Sequence, residues 1–133
     1  MSETPVEEPE LTILEVTKSA LGIPTEESAF DVELLMHINS TFSDLTQLGL
    51  GPEDGFRVTK DTLYSEYLGV EEDIDSVKTY VFMRVKMIFD PPDSYVVSGS
   101  FKEQIDKFEW RLNVARENKL IAATVPVVVV VEP

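Results

Sequence analysis

The sequence contains no cysteine and a single histidine, His37. Without cysteine there are no disulfide bonds and no thiolate metal sites, and a reducing compartment is compatible with the chain. One histidine excludes a three-histidine zinc site within one chain. His37 is more typical of a flanking imidazole on a helix than of a catalytic base. No glycine-rich phosphate loop and no EF-hand pattern is present, so we predict no enzyme activity, no catalytic residue, no metal and no cofactor.

Basic residues are also scarce. The 133 residues include 11 Lys and Arg against 25 Asp and Glu, for a net charge of −14. Residues 1–77 carry 18 acids and 3 bases, whereas residues 78–133 carry 7 acids and 8 bases. An acidic half repels nucleic acid and anionic lipid, which argues against DNA binding through a basic face. Two interpretations stay open: a solubilising surface, or an acidic face opposite a neutral, apolar face that meets partners.

No apolar run is long enough to cross a membrane. The longest extends from residue 121 to 131, is interrupted by Thr124 and Pro126, and falls short of the roughly 20 residues that a membrane helix needs. The first residues lack the basic and apolar regions of a signal peptide. We therefore expect a soluble protein without membrane contact.

Helical periodicity accounts for most of the chain. It predicts helices over residues 10–21, from Asp31 onward with Ser28 as cap, over a short stretch near 60–69, over about 76–89 and over 94–117. The apolar stripes repeat at spacings of three and four: Leu35, Ile38, Phe42 and Leu45 in one helix, and Phe101, Ile105, Phe108, Leu112 and Ala115 in the last. The prediction is an all-α fold, with a compact antiparallel bundle over residues 11–117.

The termini differ from this domain in composition. Residues 1–10 combine two prolines with four glutamates, which predicts a disordered acidic arm. Residues 118–133 are predicted as an extended, β-like tail because valine favours strands. Its strand-forming residues are Val125, Val127, Val128, Val129, Val130 and Val131. A lone strand pairs with a sheet edge elsewhere, so we predict strand addition to a partner, although packing on the chain's own domain stays open.

Four further residues are candidate partner contacts. Trp110 lies outside the stripe of the last helix and beside Arg111, and both residue types are common in interface hot spots. The alternative is that Trp110 packs on the flank of the bundle. Tyr80 and Phe82 belong to a helix that is apolar on most faces, as expected at a bundle centre or between subunits.

Three segments together resemble a known family. "INSTFSDLTQLGLGPEDGF", "SVKTYVFMRVKMIFDPPDS" and "EQIDKFEWRLNV" are similar to the head–tail connector proteins of tailed bacteriophages, also called adaptor or head-completion proteins. The resemblance covers roughly residues 11–114 and includes no catalytic signature.

The resemblance implies a structural virion protein of the neck, made in the bacterial host cytoplasm. It implies a ring of identical subunits, typically a dodecamer, beneath the portal protein. The ring would extend the channel for genomic DNA, which passes without sequence-specific binding, and would dock a stopper or tail-completion protein. The alternative is an acidic monomeric binding module, such as a nucleic-acid mimic or an inhibitor of a host protein.

Overall fold

The computed structural model describes residues 9–124, and the arm residues 1–8 and the tail residues 125–133 lie outside the described part. The described chain forms four α-helices: α1 (Ile13–Leu21), α2 (Asp31–Gln47), α3 (Ile74–Phe89) and α4 (Tyr95–Thr124). Two single 3-10 turns, Tyr64–Glu66 and Glu71–Asp73, lie between α2 and α3. Within residues 9–124 there is no β-strand, and no helix is long and apolar enough to cross a membrane. The predicted all-α class is confirmed.

Helix α3 lies at the centre of the fold and contacts α1, α2 and α4. Its fully or almost fully buried residues are Val77, Tyr80, Val81, Met83 and Val85. Such burial on several sides explains why this segment has few polar positions. The choice of helix over strand is confirmed, and the helix ends where Asp90, Pro91 and Pro92 follow Phe89, as predicted.

Contacts along α3 run in the opposite order to those along its two long neighbours. On α4, Phe101 packs on Phe82, Glu109 accepts from Tyr80, and Lys119 donates to the carbonyl of Gly69 just before α3. On the α2 side, the ring of Phe30, just before the helix, meets that of Phe89 at 5.3 Å, whereas Asp44 near the end of α2 binds Arg84. These are the contact orders of antiparallel neighbours. For the four helices together, the antiparallel bundle stays a prediction.

Local hydrogen bonds set the ends of α1 and the start of α2. Thr12 and Glu15 form a reciprocal capping box, so α1 begins at Ile13, three residues after the predicted start. Gly22 ends α1 with a positive φ of 80°. The predicted Ser28 cap of α2 is wrong, because only the backbone carbonyl of Ser28 accepts a hydrogen bond there.

The predicted short helix over residues 60–69 is also wrong. The region contains only the 3-10 turn Tyr64–Glu66. Here side chains close short turns: Thr62 Oγ1 accepts from the Thr59 N–H at 2.8 Å, and the Glu66 carboxylate accepts from the Leu63 N–H, which a helix would pair with the Thr59 carbonyl, at 2.7 Å. Such local side-chain bonds compete with helix formation.

Helix α4 is longer than predicted and continues past Glu117 to Thr124. Residues 118–124, predicted as the start of the extended tail, are therefore helical. Arg116, Glu117, Lys119 and the alanines that follow all favour helix, and Lys119 Nζ binds the carbonyl of Gly69 at 3.2 Å. The helix propensity of these residues and the contact of Lys119 with Gly69 together explain why α4 extends beyond its apolar stripe.

A buried lysine joins α1 to the start of α2. The side chain of Lys18 is 2% exposed, and its ammonium donates to the carbonyls of Thr25 and Glu27 and to the carboxylate of Asp31. All three ammonium protons therefore have acceptors, which is the condition under which a lysine is tolerated inside a protein. Lys18 fixes the connection between α1 and α2.

Replacing Lys18 by methionine should destabilise the protein by about 2–3 kcal/mol, because two carbonyls and the Asp31 carboxylate lose their shared donor. Urea unfolding followed by circular dichroism measures the change. Lys102→Met on the exposed side of α4 is the matched control and should stay within about 0.5 kcal/mol of the wild-type value. Equal stabilities for the two variants would contradict the role given to Lys18.

Candidate functional site

Helix α4 has one face in the core and another in solvent. It has 30 residues, which corresponds to a length of about 45 Å. The predicted stripe faces inward, and its members are all buried or partly buried: Phe101, Ile105, Phe108, Leu112 and Ala115. Leu112 is the most deeply buried of them, at 1% exposed. The inner face of α4 is thus as predicted, and it packs on α3.

The opposite side of α4 carries large apolar residues in solvent. Val96 is 81% exposed, Trp110 is 68% exposed and Ile121 is 56% exposed. Their spacings of 14 and 11 residues place them within about 60° of one another around the helix axis. We call Val96, Trp110 and Ile121 the outer face of α4. Tyr95, at 93% exposed, adds a further apolar ring at the start of the same helix.

Trp110 and Arg111 both reach the surface, as a partner contact requires. Arg111 is exposed, and its guanidinium lies over the ring of Phe108 at 5.1 Å. This cation–π contact holds the guanidinium over the edge of the apolar stripe. The structure therefore does not support the alternative in which Trp110 packs on the flank of the bundle. Whether the pair meets a partner stays a prediction.

Tyr80 and Phe82 occupy different environments. Tyr80 is fully buried, so it is not presented to a partner and we remove it from the candidate surface. Phe82 is partly buried, with its ring against that of Phe101 at 6.4 Å, and part of its side chain lies beside a small cavity between α1 and α3. The apolar composition of α3 thus reflects its central position within one chain.

The hydroxyl of Tyr80 belongs to a polar network that joins three helices. It donates to Glu109 of α4 at 2.8 Å and accepts from Arg84 at 2.6 Å. Arg84 also binds Asp44 of α2 and lies 3.9 Å from Glu109. Burial, and then the hydrogen bond to Glu109, raise the pKa of Tyr80, so the hydroxyl keeps its proton as a donor. Burial lowers the pKa of Arg84, but the hydrogen bonds and charge interactions with Asp44 and Tyr80 together outweigh this effect, so the net pKa is raised.

Sequence reasoning missed a second exposed apolar pair. Val32 is 76% exposed and Met36 is 66% exposed, one turn apart on α2. Their spacing of four, beside the buried stripe, is a signal that the sequence contains. The predicted contacts Val125 and Val127 to Val131 lie outside the described residues.

The described residues form no candidate metal site. Among residues 9–124 no group of three or more His, Asp or Glu side chains could hold a metal ion. The described surface instead presents apolar side chains to solvent on α2 and α4.

Comparison with known families agrees with this arrangement. The sequence matches the family described as phage connector protein over residues 13–119, which is most of its length. The chain belongs to this family. The match includes all of α1, α2 and α3 and most of α4, so the fold described above is the family domain. No curated protein and no solved structure matches the chain.

Membership establishes a coarse function. A phage connector protein is a structural component of the virion, which assembles with other head and tail proteins. The resemblance drawn from the three sequence segments is thereby confirmed.

The network around Arg84 makes a measurable contribution to stability. Tyr80→Phe should cost about 1 kcal/mol, and Arg84→Met about 2 kcal/mol, because both leave buried or half-buried groups unpaired. The double variant should cost less than the sum of the two by about 0.5 kcal/mol or more, since the residues share one network. Urea unfolding provides all three values.

Lys86→Met is the control for this cycle, because the Lys86–Asp90 pair is a single i,i+4 contact near the surface. It should change the free energy of unfolding by less than about 0.5 kcal/mol. Strict additivity of Tyr80→Phe and Arg84→Met would show that the residues act independently.

Proposed function

We propose that this connector protein is a head–tail adaptor subunit that forms a ring, typically twelve-fold, beneath the portal protein. The ring extends the channel through which genomic DNA passes and docks the next protein of the neck, a stopper or tail-completion protein. The subunit is made in the bacterial host cytoplasm and ends in the virion neck. No catalysis is part of this function.

The outer face of α4 is the observation that carries the proposal. Trp110 is 68% exposed, and Val96 and Ile121 lie on the same side of the helix, about 21 Å and about 16 Å away along its axis. Exposed aromatic side chains are enriched in protein interfaces. Trp and Arg side chains contribute most to binding when a partner surrounds them and excludes water. A ring also requires heterologous contacts, in which one surface of a subunit meets a different surface of its neighbour.

The charge of the subunit suits a channel wall. The net charge of −14 arises almost entirely in residues 1–77. Acidic groups that line a lumen repel phosphates, so DNA would pass without adhering. Family membership and the exposed apolar residues of α4 favour a structural subunit over the acidic inhibitor, which needs no exposed apolar helix face.

The valine tail supplies a second proposed contact. Val125 and Val127 to Val131 favour an extended strand, which gains its missing hydrogen bonds when it adds to a sheet edge of the portal, of a neighbouring subunit or of a stopper protein. Pro126 has no N–H to donate and would mark a bend or an outward-facing edge.

Charge introduced into the outer face should disrupt assembly without unfolding the subunit. In the double variant Trp110→Asp and Ile121→Asp, co-sedimentation with cognate portal rings should fall at least about tenfold, because two carboxylates would be desolvated in the contact. Sedimentation through a density cushion, with quantification of bound chains per portal ring, is the measurement.

Leu11→Asp is the matched control, since Leu11 is 49% exposed and lies before α1, beside a cavity that no α4 residue lines. It should bind portal rings as the wild type does. Circular dichroism must show unchanged helicity in both variants. If the Trp110→Asp and Ile121→Asp double variant binds portal rings as well as the wild type does, the outer face of α4 is not the assembly surface.

Deletion of residues 125–133 tests the tail separately. The helical circular dichroism signal should be unchanged, because all four described helices lie within residues 13–124. Association with portal rings should be lost. A chain in which the five valines 127–131 are replaced by serine keeps the length and serves as a second variant. Full portal binding by the truncated chain would refute strand addition.

A further inference from the structure

A groove runs between α2 and the extended segment 57–60. Its volume is about 800 Å³. The apolar part of its lining comes from Val32, Leu35 and Met36 on α2 and from Val58 on the segment. Asn39 fixes the segment to the helix, because its amide exchanges two hydrogen bonds with the backbone of Val58, at 2.9 Å and 2.7 Å. The groove is therefore part of the rigid fold.

The rim of this groove holds the exposed cations of the acidic half. Residues 1–77 contain three basic residues, and one of them, Lys18, is buried and satisfied internally. The other two, Arg57 and Lys60, are exposed and both line the groove. Within residues 9–124 neither has an ion pair or a hydrogen bond to its side chain, whereas Asp31 at the groove end is neutralised by Lys18. The groove thus combines an apolar floor with two free positive charges.

We propose that this groove binds the acidic N-terminal arm, residues 1–8, of a second copy of the chain. The arm sequence "MSETPVEE" places Pro5 and Val6 between glutamates. Pro5 and Val6 would lie on the apolar floor while Glu3, Glu7 and Glu8 meet Arg57 and Lys60. Apolar contact with flanking charge complementarity fixes both register and partner choice.

The path of the chain favours the arm of another copy over its own. The Ile13 N–H donates to the carbonyl of Thr62, and Thr12 forms an isolated antiparallel β-bridge with Leu63. The Glu10 carboxylate accepts from the Ser65 N–H at 3.2 Å. Followed backward from Ile13, the chain thus proceeds along residues 62–65, away from segment 57–60. Residues 10–13 thus lead away from the groove of their own chain, which favours the arm of a second copy as the ligand.

This contact would be one link between neighbouring subunits of the proposed ring, so the inference rests on the proposed function. Its test needs no portal, so the two proposals can fail separately. The arm contact is measured with the full-length chain alone, whereas the adaptor function is measured by association with portal rings.

The first experiment detects the contact directly. Equal amounts of unlabelled and ¹⁵N-labelled full-length chain are mixed at high concentration and treated with a carbodiimide, which joins a carboxylate to an amine without a spacer. Mass spectrometry should find Lys60 joined to Glu7 or Glu8, with mixed labels in about half of the linked peptides. Links with one label only would assign the groove to the chain's own arm and overturn the proposal, as would the absence of any such link.

The second experiment exchanges the charges. Reversal of the groove (Arg57→Glu with Lys60→Glu) or of the arm (Glu3→Lys, Glu7→Lys and Glu8→Lys) should each weaken self-association about tenfold by sedimentation velocity. An equal mixture of the two reversed chains should recover it, because the reversed arm of one matches the reversed groove of the other. Lys102→Glu with Lys107→Glu, two exposed bases on α4, is the control and should change self-association less than twofold.

Unchanged self-association after groove reversal, no recovery in the mixture, or a wild-type chain that stays monomeric at every concentration would each overturn the arm contact. Circular dichroism and thermal melting of every variant must match the wild type, which the exposed positions of Arg57 and Lys60 favour.

Discussion

Burial of α3 is the constraint on which the rest of the structure depends. A 16-residue helix with five almost fully buried large side chains needs neighbours on several sides, and α1, α2 and α4 provide them. Each neighbour then has one face against α3 and another face left over. Eight of the twelve exposed large apolar residues among the described residues lie on α2 and α4. The surfaces proposed for contacts are thus a consequence of how the core is built.

Polar contacts fix the positions of the outer helices around that core. Arg84 reaches from α3 to Asp44 on α2, and Tyr80 reaches to Glu109 on α4, so one network ties three helices. Lys18 does the same for α1 and the start of α2. Apolar packing alone tolerates sliding and repacking, whereas hydrogen-bonded charges have one arrangement that satisfies every partner. The proposed ring would need such rigidity, because a small error in each contact accumulates around a closed ring.

Much of this fold follows from the sequence, and the exceptions have specific causes. The stripe of α4, the helical state of α3 and its end at Pro91 depend on periodicity and on proline, which are local signals. The helix expected near residues 60–69 is absent because Thr59, Thr62 and Glu66 bind backbone groups, a detail of side-chain geometry. The extension of α4 to Thr124 depends partly on Lys119 meeting Gly69, a contact 50 residues apart that no local pattern contains.

Among the candidate surface residues, too, some positions could be predicted from the sequence and others could not. Trp110 and Arg111 were predictable because an aromatic residue off the apolar stripe of an amphipathic helix points outward. Tyr80 was not, since an apolar helix at a subunit interface and one at a bundle centre have the same composition. Only the neighbours distinguish them, and the pairing of Tyr80 with Glu109 places it inside.

Two different surfaces are what a ring subunit needs. A closed ring with more than two members joins unlike surfaces, so a subunit with one exposed patch would stop at a dimer or use that patch against another protein. This connector has the outer face of α4, which is apolar, and the groove of α2, which is apolar with a basic rim. Because free cations are so scarce in its acidic half, the position of Arg57 and Lys60 on one rim is informative. A ligand for that rim must bring its own negative charge, and the chain carries a suitable one in its first eight residues.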